Sequence, residues 1–124
     1  MTDLVYRVMS SDDWDATLRT GIVPRCGADE RDGYVHLSTA DTVVETANLY
    51  FEPDENPVVA EVVSAALGAA LRWEVVADRG GACFPHLYSE GIPLSTIRGV
   101  ISLRLDADGF ALGHRRAIHS QASD

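Results

Sequence analysis

The chain opens on a run of β-branched and aromatic residues, Leu4-Val5-Tyr6-Arg7-Val8-Met9, that predicts a strand. Ser10 and Ser11 follow as N-cap residues, with Asp12, Asp13 and Asp15 in the first turn, where the helix dipole favours negative charge. Trp14 and Leu18, four apart, predict the buried face of that helix, and Gly21 its C-terminal stop. From Pro24 to Gly33 no period survives, and the segment reads as a loop. Tyr34-Val35-His36-Leu37-Ser38 predicts a second strand. Thr39 is then the cap of a helix from Ala40 to Phe51, with Val43, Val44, Ala47, Tyr50 and Phe51 as its buried stripe.

Beyond the Pro-bearing turn of Glu52 to Pro57 the pattern is mostly strand. Val58 to Val63 and Leu71 to Val76 are predicted strands joined through small residues around Gly68. Asp78 to Ala82 is a polar Gly-Gly loop. Phe84-Pro85-His86-Leu87-Tyr88 is extended, because Pro85 excludes a helix interior. Gly99 to Leu105 is a last long strand, turned by Asp106 to Gly109. The expected architecture is α+β, a largely antiparallel sheet with two main helices. Residues 1–113 form the expected domain, and 114–124 a flexible tail.

Composition narrows the function. A length of 124 residues gives room for one core, and 46% apolar with 23% charged residues excludes a disordered chain. Net charge is −9, which argues against bulk coating of nucleic acid or of an anionic membrane. All ten basic residues are arginine, so a small anion held locally meets a guanidinium fork. The most apolar stretch, Val58 to Leu71, is interrupted by Glu61 and is too short to span a bilayer. With no secretion signal and two distant cysteines, Cys26 and Cys83, the expected compartment is the cytoplasm. Cys83, beside an aromatic strand, reads as packed rather than reactive.

The densest polar group is His36-Leu37-Ser38-Thr39, at a strand end that opens into a helix. A ring, two hydroxyls and free helix N–H groups can hold a phosphate or a ribose; equally, Ser38 or Thr39 caps the helix and His36 is a satisfied structural residue. His86 has the same two readings, a core histidine or an acid, base or phosphate ligand facing His36 across a cleft. Arg72 and Glu74 share one face of their strand while Trp73 packs on the other. They are an exposed charge pair, or a phosphate ligand and a hydroxyl-polarising acid. Tyr6-Arg7 on the first strand poses the same choice. No metal-ligand spacing, Walker A sequence or GxGxxG is present, so no metal is expected.

Three segments carry a resemblance: Asp32-Gly33-Tyr34-Val35-His36-Leu37-Ser38-Thr39, then Leu71-Arg72-Trp73-Glu74, then Phe84-Pro85-His86-Leu87-Tyr88 with Ile92-Pro93-Leu94-Ser95. In order and spacing they resemble a small bacterial family catalogued as domain of unknown function 952, which has no assigned activity. More distantly, Gly33 to Ala40 followed by Thr46-Ala47-Asn48-Leu49-Tyr50 is similar to the middle of the ADP-ribosyltransferase superfamily. That resemblance implies an ADP-ribosyltransferase-like fold and a cleft that binds or cleaves NAD or a related phosphorylated nucleotide. NAD would be the substrate, with no other cofactor required.

By the same resemblance Arg7, beside Tyr6, occupies the first-strand position that binds the cofactor ribose. His36 takes the middle aromatic position, with Ser38 and Thr39 as its hydroxyl motif, and Glu74 is the later catalytic acid. Arg7 and Arg72 would hold phosphates. A variant is RNA 2′-phosphotransfer, which relies on Arg and His. Two alternatives stand beside this reading: a non-catalytic nucleotide- or partner-binding module, and a phosphoesterase using His36-Leu37-Ser38 and His86-Leu87-Tyr88 as paired His-x-hydroxyl motifs.

Overall fold

The computed structural model describes residues 3–118. Three strands fall where the sequence predicts them: β1 (Leu4–Met9), β4 (Val58–Val63) and β5 (Leu71–Val76). In chain order, α1 (Ser11–Thr20), β2 (Ile22–Pro24), α2 (Gly27–Asp32), β3 (Val35–His36) and α3 (Val43–Tyr50) lie between β1 and β4. After β5 come β6 (Ala82–Leu87), β7 (Gly91–Pro93), β8 (Ile97–Asp106) and β9 (Gly109–Ala117), with short 3-10 turns between several of them. The fold is α+β and its sheets are antiparallel.

The main sheet has the order β1-β4-β8-β9. Its central strand β4 reads Val-Val-Ala-Glu-Val-Val because both faces are covered. Ala60 and Val62 join Val5, Met9, Trp14, Leu37, Leu87 and Ile97 in the larger core, whereas Val59 joins Val8, Val43, Ala47 and Phe110 under α3. Alternation along β1 therefore puts Val5, Arg7 and Met9 on the large-core side, and Tyr6 and Val8 toward α3.

A second sheet, β3-β6-β5, is bridged to the first, among the described residues, by the pair Tyr6 and Ser38. Tyr6 and Ser38 exchange backbone bonds of 2.9 and 2.7 Å, while the Leu37 N–H turns the other way to Pro85 O, 3.1 Å. Strand β2 pairs with β7 as a separate ribbon. A cavity opens beside this bridge, lined from β1 by Arg7 and Val8 and from the second sheet by His36, Phe84 and His86.

Several expectations need correction. Residues 27–32 form helix α2, although Gly-Ala-Asp-Glu-Arg-Asp has no apolar stripe. Its ends are set locally, by Asp29 accepting from the Cys26 N–H at 2.9 Å and by Gly33, whose φ of 84° is a left-handed stop. The α1 face is Trp14 and Thr17, with Leu18 exposed. Helix α3 begins at Val43 rather than Ala40, since Thr39 and Thr42 bond each other in the preceding turn. Trp73 and Cys83 are exposed rather than packed, because nothing covers the outer face of β5 and β6 there among the described residues. The segment expected to loosen at His114 is strand as far as Ala117, paired to β8. Asn48 of α3 pins that hairpin by accepting from the Phe110 N–H at 2.9 Å, against Gly109, where a Cβ would meet the Asn48 carboxamide oxygen. Residues 119–124 of the expected tail, His119 included, lie outside the described residues.

A cavity lined by two carboxylate-held histidines

Helix α2 exists to present Asp29. The carboxylate is fully buried and receives five donors: the Cys26 N–H at 2.9 Å, the His36 N–H at 3.0 Å, His36 Nδ1 at 2.7 Å, and Arg7 Nη1 and Nη2 at 3.3 and 2.7 Å. Burial pushes its pKa up, but the bonds from His36 and Arg7 prevail and hold it far below the usual carboxylate range. Arg7, only 4% exposed, also donates to His36 O at 2.9 Å. One buried ion pair thus ties β1, α2 and β3 together. His36 Nε2 lies 2.8 Å from Asp32 Oδ2, so each ring nitrogen is engaged by a carboxylate oxygen. Bonds from Arg31 first, and from His36, hold the Asp32 carboxyl at about 2.

His86 lies directly opposite His36 in the β3–β6 register, with the ring centroids 5.8 Å apart. It is 3% exposed, and Glu74 of β5 takes its Nδ1 at 2.7 Å. The Tyr88 hydroxyl donates to the same carboxylate oxygen at 2.7 Å. Those two bonds, Tyr88 first, draw the Glu74 pKa below its ordinary value, and the same carboxylate pushes the Tyr88 phenol up. With Nδ1 donating to Glu74, Nε2 is the ring nitrogen without a partner among the described residues. Tyr34 stacks on His86 at 4.0 Å and touches the His36 ring edge at 4.7 Å, roofing both.

These groups open on a cavity of 640 Å³. Its walls include Arg7, His36, Ser38 and His86, with Tyr50 and Phe84 beyond them. A hollow of comparable size, 660 Å³ around Trp73 and Arg98, contains no histidine.

Of the residues singled out in the sequence, Arg7, His36, Ser38 and His86 meet at the cavity. Glu74 stands behind His86 and contacts the cavity through it. Tyr6 faces α3 from the other side of β1, Thr39 bonds Asp41 and Thr42 in a turn, and Arg72 lies over the Tyr88 ring at 4.9 Å, outside the cavity. Arg7 is at the wall, with its guanidinium already engaged by Asp29 and His36 O. Sequence reasoning missed Asp29, Asp32 and Tyr34. The signal was their crowding within the seven residues before His36, in a segment too polar to register as an element.

Protein CC0527 of Caulobacter crescentus is a solved relative. Its crystal structure is 38% identical in sequence and superposes with a TM-score of 0.77, covering 86% of this chain and 91% of that one. Its solution NMR structure gives 38% identity and a TM-score of 0.72, over 86% and 90% of the two chains. No curated protein matches the chain. Residues 8–100 match the family described as Protein of unknown function (DUF952), a span from β1 into β8 that includes every residue of the histidine cluster except Arg7. The protein belongs to the DUF952 family.

Proposed function

We propose that the cavity is a nucleotide site of the ADP-ribosyltransferase type, acting on NAD or a related phosphorylated nucleotide in the cytoplasm, with His86 as its acid–base group. The observation that carries the reading is the pair of opposed histidines, each oriented by a carboxylate, on one wall of a 640 Å³ cavity. That volume suits a ligand of nucleotide size. Tyr34, Tyr50 and Phe84 line it and supply aromatic contact area for a base or a nicotinamide.

In the reaction the C1′–N glycosidic bond breaks and nicotinamide leaves with the bonding pair. The acceptor oxygen bonds C1′, and its proton passes to His86 Nε2. Glu74 is a positioning residue that keeps Nδ1 protonated and Nε2 free to accept, and its charge favours the imidazolium formed. His36, held by Asp29 and Asp32, fixes the wall beside His86, and Ser38 borders the ribose.

The test is nicotinamide release from NAD by the purified protein. Release that falls by about 10²-fold or more in His86→Ala supports the reading. Release no faster than that of a His36→Ala/His86→Ala double variant overturns it as an enzyme, and saturable binding without product then leaves a binding module. The direct His36–His86 pairing also favours a second reading, the two-histidine phosphoesterase. Opening of a 2′,3′-cyclic nucleotide by the wild type and not by His86→Ala would put that chemistry first.

A further inference from the structure

Three arginines line the cavity: Arg7, Arg31 and Arg79. Arg7 commits Nη1 and Nη2 to Asp29 and His36 O, leaving only its buried Nε without a partner among the described residues, and Arg31 holds Asp32 with bonds of 2.8 and 3.0 Å. Arg79 differs. It ends the 3-10 turn Ala77–Arg79 between β5 and β6, in a segment whose sequence predicts only a polar loop, yet its side chain is just 10% exposed. Its guanidinium lies 4.5 Å from the Phe84 ring centroid and 5.9 Å from that of Tyr50. Nη2 donates to Glu45 Oε1 at 2.6 Å and to Thr46 Oγ1 at 3.3 Å, and Thr46 Oγ1 lies 2.9 Å from the buried Ser38 hydroxyl. Nε and Nη1 have no hydrogen-bond partner among the described residues.

An arginine held by two aromatic rings, with two of its three nitrogens unused, is a pre-organised fork for a bidentate oxyanion. Its one ionic partner, Glu45, is 63% exposed, and a pair to so exposed a carboxylate contributes little. We infer that Arg79, with Ser38 and Thr46 beside it, is the phosphate subsite of the cavity, and that the ligand's phosphate displaces Glu45 from Nη2. The ligand's identity as a nucleotide rests on the function proposed above; the subsite itself rests on Arg79. Arg79 takes the role that the sequence suggested for Arg72.

The probes are inorganic pyrophosphate, ADP-ribose and adenosine, titrated calorimetrically into the wild type, Arg79→Gln and Glu45→Gln. The expected result is that pyrophosphate and ADP-ribose bind, adenosine binds more weakly than ADP-ribose, and Arg79→Gln weakens both anions by about tenfold or more. Glu45→Gln, which removes the competing carboxylate, tightens them. Equal affinities in wild type and Arg79→Gln overturn the subsite while leaving the nucleotide reading intact. Pyrophosphate binding that depends on Arg79, with ADP-ribose no tighter, supports the subsite and overturns the nucleotide reading. Failure of both anions to bind the wild type overturns both. Should Arg79→Gln not fold, Glu45→Gln decides: tighter anion binding supports the subsite and unchanged binding overturns it.

Discussion

His36 and His86 face each other across one strand pair, and each ring holds a carboxylate at 2.7 Å. The surroundings make the two pairs different devices. At His36 the carboxylate is buried and shared with Arg7, both ring nitrogens are occupied, and the cluster joins three elements. At His86 the carboxylate is 37% exposed, its second donor is a phenol, and the ring keeps Nε2 free beside the cavity. A histidine–carboxylate contact alone thus says little about role. The first pair is fully engaged, and the second leaves one ring nitrogen open for the proton exchange proposed above.

The largest expected effect breaks the first pair. Asp29→Ala leaves the Arg7 guanidinium buried and unpaired, and should cost about 3–5 kcal/mol in urea unfolding at neutral pH. Glu74→Ala, which removes an exposed carboxylate, should cost far less. Equal losses would erase the distinction between the two sites. His86→Ala comes next, lowering NAD turnover by about 10²-fold or more while the protein remains folded. Glu74→Gln should lower turnover less, moving the pH dependence more than the substrate KM, as a positioning role requires.

Acid separates the two carboxylates by range. Both have folded-state pKa values below their ordinary ones, so each contributes stability that is complete above the ordinary value and lost as pH falls toward the folded one. Glu74 begins to lose its share below its ordinary 4.5, and Asp29 below its ordinary 3.8, with the Asp29 loss extending to lower pH than that of Asp32, which is held at about 2. Urea midpoints from pH 7 to pH 2 should therefore fall as these carboxylates are protonated, with Glu74→Gln reducing the part of the fall that begins below 4.5. A fall that Glu74→Gln leaves unaltered would contradict the assignment. Smallest is Glu30→Ala, which removes a 3.4 Å pair to Arg25 at the surface and should change stability by about 0–1 kcal/mol.

How much of this could be read in advance depends on what fixes each part. Strands β1, β4 and β5 are legible because β-branched runs and burial agree locally. Helix α2 is not, since caps at Cys26 and Gly33 define it rather than an apolar stripe. Strand β9 is hidden for a related reason: Gly113, His114, Arg115 and Arg116 are exposed, and pairing to β8 holds them. His36, His86 and Glu74 are chemically conspicuous in sequence. Their partners depend on register, which sets His86 opposite His36 and puts Glu74 within reach of the His86 ring. The arginines show the limit most clearly: the sequence leaves Arg7 between a solvated strand residue and a ligand contact, and it is buried against Asp29, while Arg79 reads as part of a polar loop and lies against Phe84.

The most direct test of the central claim is calorimetric titration of NAD, ADP-ribose and nicotinamide into the wild type and His86→Ala. Saturable binding of NAD and ADP-ribose, weakened by about tenfold or more in the variant, is the predicted result. Flat titrations of all three ligands into the wild type, or affinities that the substitution leaves unchanged, would contradict a nucleotide site in the cavity that the two histidines line.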